Sequence, residues 1–155
     1  MAANLRILVI GGVALAALAT TVTLLSTAIA GSGGARCLGE EVTIAASGPT
    51  TNGTPRKDVI KGSAGSDVIN GRGGGDLICG GGGKDAIKGG GGDDRISGHG
   101  GSDLIFGGRG GDKLFGRGGG DRLDGGPGRD LCKGGAGRDL ALGRTCEKIR
   151  GAEEV

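Results

Sequence analysis

An aspartate recurs every nine residues, without interruption, through most of this chain. An aliphatic residue stands two places after the Asp in the first eight copies, and glycine stands five places before it from the second copy onward. Three residue classes that share one period are typical of a repeat architecture, in which each repeat is one structural unit. The ten members of the series are Asp58, Asp67, Asp76, Asp85, Asp94, Asp103, Asp112, Asp121, Asp130 and Asp139.

Composition alone would suggest a disordered, low-complexity chain. Gly supplies 41 of the 155 residues and only two residues are aromatic, while Gly loses more backbone entropy on folding than any other residue. The unbroken period argues against disorder. Nineteen Lys and Arg are interspersed with seventeen Asp and Glu, so the net charge gives no support for nucleic acid or an anionic membrane as a partner.

The first thirty residues differ in kind from the rest. Arg6 precedes an apolar run over 7–25, and Ala28-Ile29-Ala30 fits the small-x-small pattern that signal peptidase cuts. This pattern predicts a signal peptide over 1–30 and a secreted mature chain that begins at Gly31. The alternative is a retained membrane anchor, since nineteen residues could nearly span a bilayer; three threonines within the run favour cleavage.

Four cysteines accompany this export signal, namely Cys37, Cys79, Cys132 and Cys146. An even number on a chain bound for an oxidising compartment predicts two disulfides, for which three connectivities are possible. No C-x-x-C pair occurs, so neither a zinc site nor a thioredoxin-type site is expected.

The repeat also predicts a fold. Glycines before each Asp permit a tight turn, because Gly accepts positive φ, and the next three residues form a short strand whose middle side chain faces inward. Two such units return the chain to its start, so each coil has eighteen residues. We expect an all-β fold: a parallel β-roll over 57–142 with an aliphatic core from Ile60 to Leu123, an N-terminal cap and linker over 31–56, and a C-terminal cap over 143–155.

Individual copies carry a resemblance to a known family. Residues 89–97 read Gly-Gly-Gly-Gly-Asp-Asp-Arg-Ile-Ser and match the nonapeptide G-G-x-G-x-D-x-U-x. The chain resembles, over about residues 57–142, the hemolysin-type or repeats-in-toxin calcium-binding family of secreted bacterial toxins, proteases and adhesins. Its cysteine layout is similar to that of small exported actinobacterial proteins of this family. We therefore predict the disulfides Cys37–Cys79 and Cys132–Cys146.

The resemblance implies Ca²⁺ as the ligand, a cation that takes about six to eight oxygens. In this family an ion lies between two turns on one edge of the roll and is held by aspartate and carbonyl oxygens. The implied side-chain ligands are Asp67, Asp76, Asp85, Asp94, Asp103, Asp112, Asp121, Asp130 and Asp139. Implied carbonyl donors in the preceding turns include Gly80, Gly89, Gly98, Gly107, Gly116 and Gly125. Five turns on one edge and four on the other leave at most seven gaps for ions; Asp58 lacks the preceding glycines and is assigned to the cap.

Several copies depart from the family pattern. A cation stands directly before the repeat Asp at Lys84, Arg129 and Arg138, and another residue replaces the second glycine at Arg72, His99 and Arg117. Positive charge beside a turn weakens the binding of a divalent cation. We therefore expect partial occupancy, especially in the C-terminal coils.

Nothing in the sequence indicates catalysis. The segments outside the repeats are too short for a separate domain, and the sole histidine, His99, lies in a repeat turn. We expect a secreted, non-catalytic calcium-binding protein; the alternatives are a structural or adhesive protein of the cell envelope and an accessory fragment of an enzyme. RGG-like segments follow the repeat and lack interleaved aromatic residues, so nucleic acid is not an expected partner, nor is a membrane after signal removal. A protein or cell-surface partner is left open.

Overall fold

The computed structural model describes residues 35–142 and Cys146. The predicted signal peptide over 1–30 and most of the predicted C-terminal cap over 143–155 lie outside the described residues. Within the described part the chain forms strands and no helix, and hence no helix long and apolar enough to cross a membrane.

The strands follow the nine-residue period. From the fifth strand onward, each strand begins at the residue directly after a repeat Asp. In chain order the strands are β1 (Arg36–Cys37), β2 (Glu40–Glu41), β3 (Ile44–Ala45), β4 (Thr50–Asn52), β5 (Val59–Lys61), β6 (Val68–Gly73), β7 (Leu77–Gly82), β8 (Ala86–Gly91), β9 (Arg95–Gly100), β10 (Leu104–Arg109), β11 (Lys113–Gly118), β12 (Arg122–Asp124), β13 (Leu131–Ala136) and β14 (Leu140–Leu142).

Alternate strands stack into two parallel sheets. The even sheet has the order β4-β6-β8-β10-β12-β14, and the odd sheet has the order β3-β5-β7-β9-β11-β13. Paired residues of the repeats are eighteen apart in sequence, as Ile69 with Ile87 and Ile60 with Ile78 show, whereas β3 and β5 pair at a separation of sixteen. One coil therefore contains two repeats, and the predicted parallel β-roll is confirmed.

The aliphatic residues two places after each Asp form the core between the sheets. Their exposed fraction is at most 1%, and they make one continuous cluster of Ile60, Ile69, Ile78, Ile87, Ile96, Ile105, Leu114, Leu123 and Cys132. Burial of each aliphatic side chain contributes roughly 1.5–3 kcal/mol. Side chains alternate along a strand, so the residues before and after each core residue face outward.

The sheets begin earlier in the chain than residue 57. β3 pairs with β5 through Ile44 and Ile60, and β4 pairs with β6 through Thr51 and Ile69. Ile44 also packs against the end of the core. The segment expected to form a cap and linker thus supplies the first strand of each sheet.

A short antiparallel hairpin of β1 and β2 covers part of the outer face of the odd sheet. Cys37, Val59 and Cys79 are buried there in a second, smaller cluster. Cys37 is joined to Cys79 and Cys132 to Cys146, which are the predicted pairs. Each bridge stabilises the fold by restricting the unfolded chain. The contribution is about 3 kcal/mol for a loop as short as the one that Cys132 and Cys146 close.

Three residues other than glycine have left-handed backbone in the repeats. Arg72, His99 and Arg117 have φ values of 76°, 77° and 86°. They stand where Gly90 and Gly108 have φ values of 120° and 119°, so the roll requires this conformation whichever residue is present. A side chain disfavours it by roughly 1–2 kcal/mol.

Candidate metal centre

The repeat aspartates form two columns, one at the start of the strands of each sheet. Except in the last member of each column, the amide nitrogen of the Asp donates a hydrogen bond to Oδ1 of the Asp eighteen residues later, as from Asp58 to Asp76 at 2.9 Å and from Asp76 to Asp94 at 2.8 Å. The same bond recurs along both columns. One column contains Asp58, Asp76, Asp94, Asp112 and Asp130, and the other contains Asp67, Asp85, Asp103, Asp121 and Asp139.

The second carboxylate oxygen, Oδ2, is buried without a hydrogen-bond partner in eight of these residues. They are Asp76, Asp85, Asp94, Asp103, Asp112, Asp121, Asp130 and Asp139. A buried polar atom without a partner costs about 1–3 kcal/mol, and more when it is charged. A cation bound to these oxygens would remove that cost.

Each unpaired oxygen faces a glycine, and in all but the last aspartate of each column the same glycine also faces a carbonyl oxygen of the next coil. A Cβ added to Gly80 would collide with Asp85 Oδ2 and would lie 2.8 Å from the carbonyl oxygen of Gly98. Glycine is required here because a side chain would fill the space between the two oxygens. All six carbonyl donors expected from the sequence lie beside an Asp in this way: Gly80 beside Asp67, Gly89 beside Asp76, Gly98 beside Asp85, Gly107 beside Asp94, Gly116 beside Asp103 and Gly125 beside Asp112.

Burial changes the acidity of these carboxyl groups. Burial, together with the charges of Asp112, Asp76 and Asp93, raises the pKa of Asp94 to about 7, although the hydrogen bond from the Asp76 backbone lowers it. Burial likewise raises the pKa of Asp76 and of Asp121 to about 6. Burial also raises the pKa of Asp85, Asp103 and Asp112. The ion-free columns therefore disfavour negative charge and would gain from a cation.

The first aspartate of each column is different, because its own turn satisfies Oδ2. Asp58 Oδ2 accepts hydrogen bonds from Thr54 N at 2.6 Å and Thr54 Oγ1 at 2.9 Å. Asp67 Oδ2 accepts them from Ser63 N at 2.7 Å and Ser63 Oγ at 2.9 Å. In the eight later turns this position holds Gly, Arg or His. Asp58, assigned to the cap from the sequence, thus lies within a column. Thr54 and Ser63 were not singled out there, although their hydroxyl groups four places before the Asp are a readable signal.

The environment of the turns varies along the roll. Asp93 Oδ1 accepts a hydrogen bond from Gly111 N at 2.7 Å, so this extra carboxylate joins two coils of the column that contains Asp94. Lys84, Arg129 and Arg138 are exposed at their turns. Among the residues described, no three His, Cys, Asp or Glu side chains converge on one point. An ion held in these turns would therefore need backbone oxygens in addition to the carboxylates.

Two carboxylate columns on a parallel roll of glycine-rich turns define the class of calcium-binding nonapeptide solenoids. The family model for the RTX calcium-binding nonapeptide repeat, which comprises four copies, matches residues 52–87, 80–114 and 106–141. These matches together cover more than half of the chain, and the chain belongs to this family. No match was found among curated proteins or among solved structures.

Proposed function

We propose that this chain is a secreted protein whose β-roll binds Ca²⁺ and is stabilised by it, without catalytic activity. The observation that carries the proposal is the set of eight buried, unpaired Oδ2 atoms, each beside a glycine whose Cβ would fill the space. Such hard oxygen donors suit Ca²⁺. The two disulfides and the signal-like segment over 1–30 support an oxidising, extracellular location.

We propose the eight aspartates with an unpaired Oδ2 as the side-chain ligands, with turn carbonyls beside them. Asp67 is the ninth residue expected from the sequence, and its buried oxygen already accepts two hydrogen bonds from Ser63. Four ligand aspartates in each column leave three gaps per column, which favours six ions rather than seven. Isothermal titration of the mature chain with CaCl₂ tests this proposal, and no saturable heat would overturn it.

Replacing Ser63 by Ala tests whether the carboxylate of Asp67 is structural or is a calcium ligand. The variant should lose about 1 kcal/mol of stability in excess calcium, because Asp67 Oδ2 loses one hydrogen bond, while the number of bound ions should not change. Thermal unfolding and calcium stoichiometry are the measurements, and Ser47→Ala at an exposed position is the control. If Ser63→Ala changes the number of bound ions, the assignment of Asp67 as a structural carboxylate is wrong.

Acidification should affect the ion-free and the calcium-loaded chain in opposite directions. The folded-state pKa of Asp94 is about 7, above its ordinary 3.8. Protonation therefore stabilises the ion-free fold fully below about pH 4, and this stabilisation is lost as the pH rises through about 6–7. Calcium competes with the same protons, so the calcium midpoint should rise as the pH falls. Calcium titrations followed by circular dichroism between about pH 7.5 and 5.5 measure this shift, and a constant midpoint would contradict it.

A further inference from the structure

The eighteen-residue coil sorts charged side chains by sheet. The strands of the odd sheet contain no Asp or Glu, and their charged or titratable residues are Lys61, Arg95, His99, Lys113, Arg117 and Lys133. We call this set the basic face. The even sheet also has cations, at Arg72, Lys88, Arg109 and Arg122, but Asp124 and the exposed Val68, Phe106 and Leu140 interrupt them.

Cations of the basic face stand next to one another on neighbouring strands. β9 and β11 place Arg95 beside Lys113 in register, and like charges directly opposite destabilise a sheet. His99 and Arg117 also have the left-handed backbone described above. Repulsion and strain at one surface are costs to folding, and such costs indicate a role outside the fold.

Neighbouring side chains hold these cations in place. The Arg95 guanidinium carbon and Lys133 Nζ each lie 5.9 Å from the centroid of the Phe115 ring, a distance typical of cation–π contacts. Arg117 Nε donates a hydrogen bond to Oγ of the buried Ser97 at 2.6 Å. No carboxylate of the described residues forms an ion pair with the cations of the basic face. Their charges are therefore both positioned and available.

We propose that the basic face binds an extended anionic polysaccharide that carries sulfate or phosphate groups. The hairpin of β1 and β2 covers part of β5 and β7, so the exposed part of the face comprises β9, β11 and β13. These strands have six residues each, which corresponds to about 20 Å at about 3.3 Å per residue. Several charged sugar units fit this length. The inference rests on the proposed function in one respect, because calcium would fold the roll and neutralise the aspartate columns beside the face.

Other polyanions fit the face less well. Single-stranded nucleic acid binds by stacking its bases on exposed aromatic rings, whereas Phe115 is half-buried with Arg95 and Lys133 at its ring. Duplex DNA is read by elements that enter its grooves, which a flat sheet does not do. A lipid surface requires exposed apolar anchors, and those of this roll lie mainly on the even sheet.

The test compares two double variants of equal charge in saturating calcium. Arg95→Gln with Lys113→Gln removes two exposed cations from the basic face, and Lys88→Gln with Arg122→Gln removes two from the even sheet. Binding to immobilised dextran sulfate should weaken by roughly tenfold or more in the first variant, because each Lys or Arg near a polyanionic surface contributes severalfold. The second variant should change it by less than about twofold. Comparison with phosphorylated dextran shows whether the face binds sulfate or phosphate groups more tightly. Uncharged dextran should not bind.

Calcium titration of each variant, without polysaccharide, separates this inference from the proposed function. If calcium binding is normal but both variants lose affinity for dextran sulfate equally, only the polysaccharide site is overturned. The same holds if calcium binding is normal and neither anionic dextran binds. Loss of calcium binding in the unaltered chain would overturn the proposed function instead. Tighter binding to single-stranded DNA or to anionic phosphatidylserine vesicles than to dextran sulfate would also reject the polysaccharide as the partner.

Discussion

Adding EGTA to the calcium-loaded chain is expected to abolish most of its β-sheet circular dichroism signal. Each repeat buries one aliphatic side chain, worth roughly 1.5–3 kcal/mol, while ordering its nine residues costs about 1 kcal/mol or more per residue. Eight buried carboxylate oxygens without partners disfavour the ion-free fold further. Calcium bound to these oxygens would offset both effects.

Two controls sharpen this experiment. Excess CaCl₂ added after EGTA should restore the signal, whereas MgCl₂ should not, because Mg²⁺ requires a smaller octahedral site and keeps its water. Measurements before and after reduction show how much order the Cys37–Cys79 and Cys132–Cys146 bridges maintain at the two ends. A β-sheet signal that EGTA leaves unchanged would mean that ions do not drive folding.

Replacing Asp94 by Ala should raise the calcium midpoint by roughly tenfold or more, since a charged partner contributes about 1.5–3 kcal/mol. Burial raises the pKa of Asp94 to about 7, and Asp112, Asp76 and Asp93 add negative charge around it. Asp139 ends its column and follows the exposed Arg138, which opposes a divalent cation. Asp139→Ala should therefore shift the midpoint by less than about threefold.

Asp94→Asn keeps the side-chain volume and removes only the charge, so it should reproduce most of the effect of Asp94→Ala. In EGTA Asp94→Asn should be less unstable than the unaltered chain, because it lacks a buried carboxylate and can still accept the hydrogen bond of the Asp76 amide. Asp94→Ala leaves that amide without its acceptor and should not show the same gain. Calorimetric and circular dichroism titrations at one fixed ionic strength measure the calcium midpoint and the stability in EGTA. Equal midpoints for Asp94→Ala and Asp139→Ala, or the reverse order, would show that local charge does not set affinity along the roll.

The nine-residue series was sufficient to predict the sheets, the coil and the core. Ile60 and Ile69 face inward because a side chain two places after a turn Asp has one possible direction in a short strand. No Asp marks the earlier strands at Ile44 and Thr50, so the period could not indicate where the sheets begin. The run Val42-Thr43-Ile44 does predict a strand against the first coil, and Ile44 lies in such a strand. The strand at Thr50 falls where a turn-rich linker was expected.

The features of the site that were missed have a common cause. A period of nine treats all turns as equivalent, whereas Thr54 and Ser63 change what the first carboxylate of each column requires. It also treats residues on opposite sheets as equivalent. Lys113 and Arg122 occupy the same place in successive repeats but lie on different faces. Interspersed charge along the chain therefore concealed that the charged residues of β9, β11 and β13 are all basic.

The hydrogen bond from each Asp amide to the Asp one coil later has a consequence for how such chains change length during evolution. Each coil contacts only its neighbours, so loss or duplication of eighteen residues preserves every amide–carboxylate bond and leaves both ends as they were. Loss or duplication of nine residues would transfer every later side chain to the opposite sheet. Lys113 would then leave Arg95, and Cys132 would move to the other wall of the roll. Viable homologues should therefore differ by whole coils.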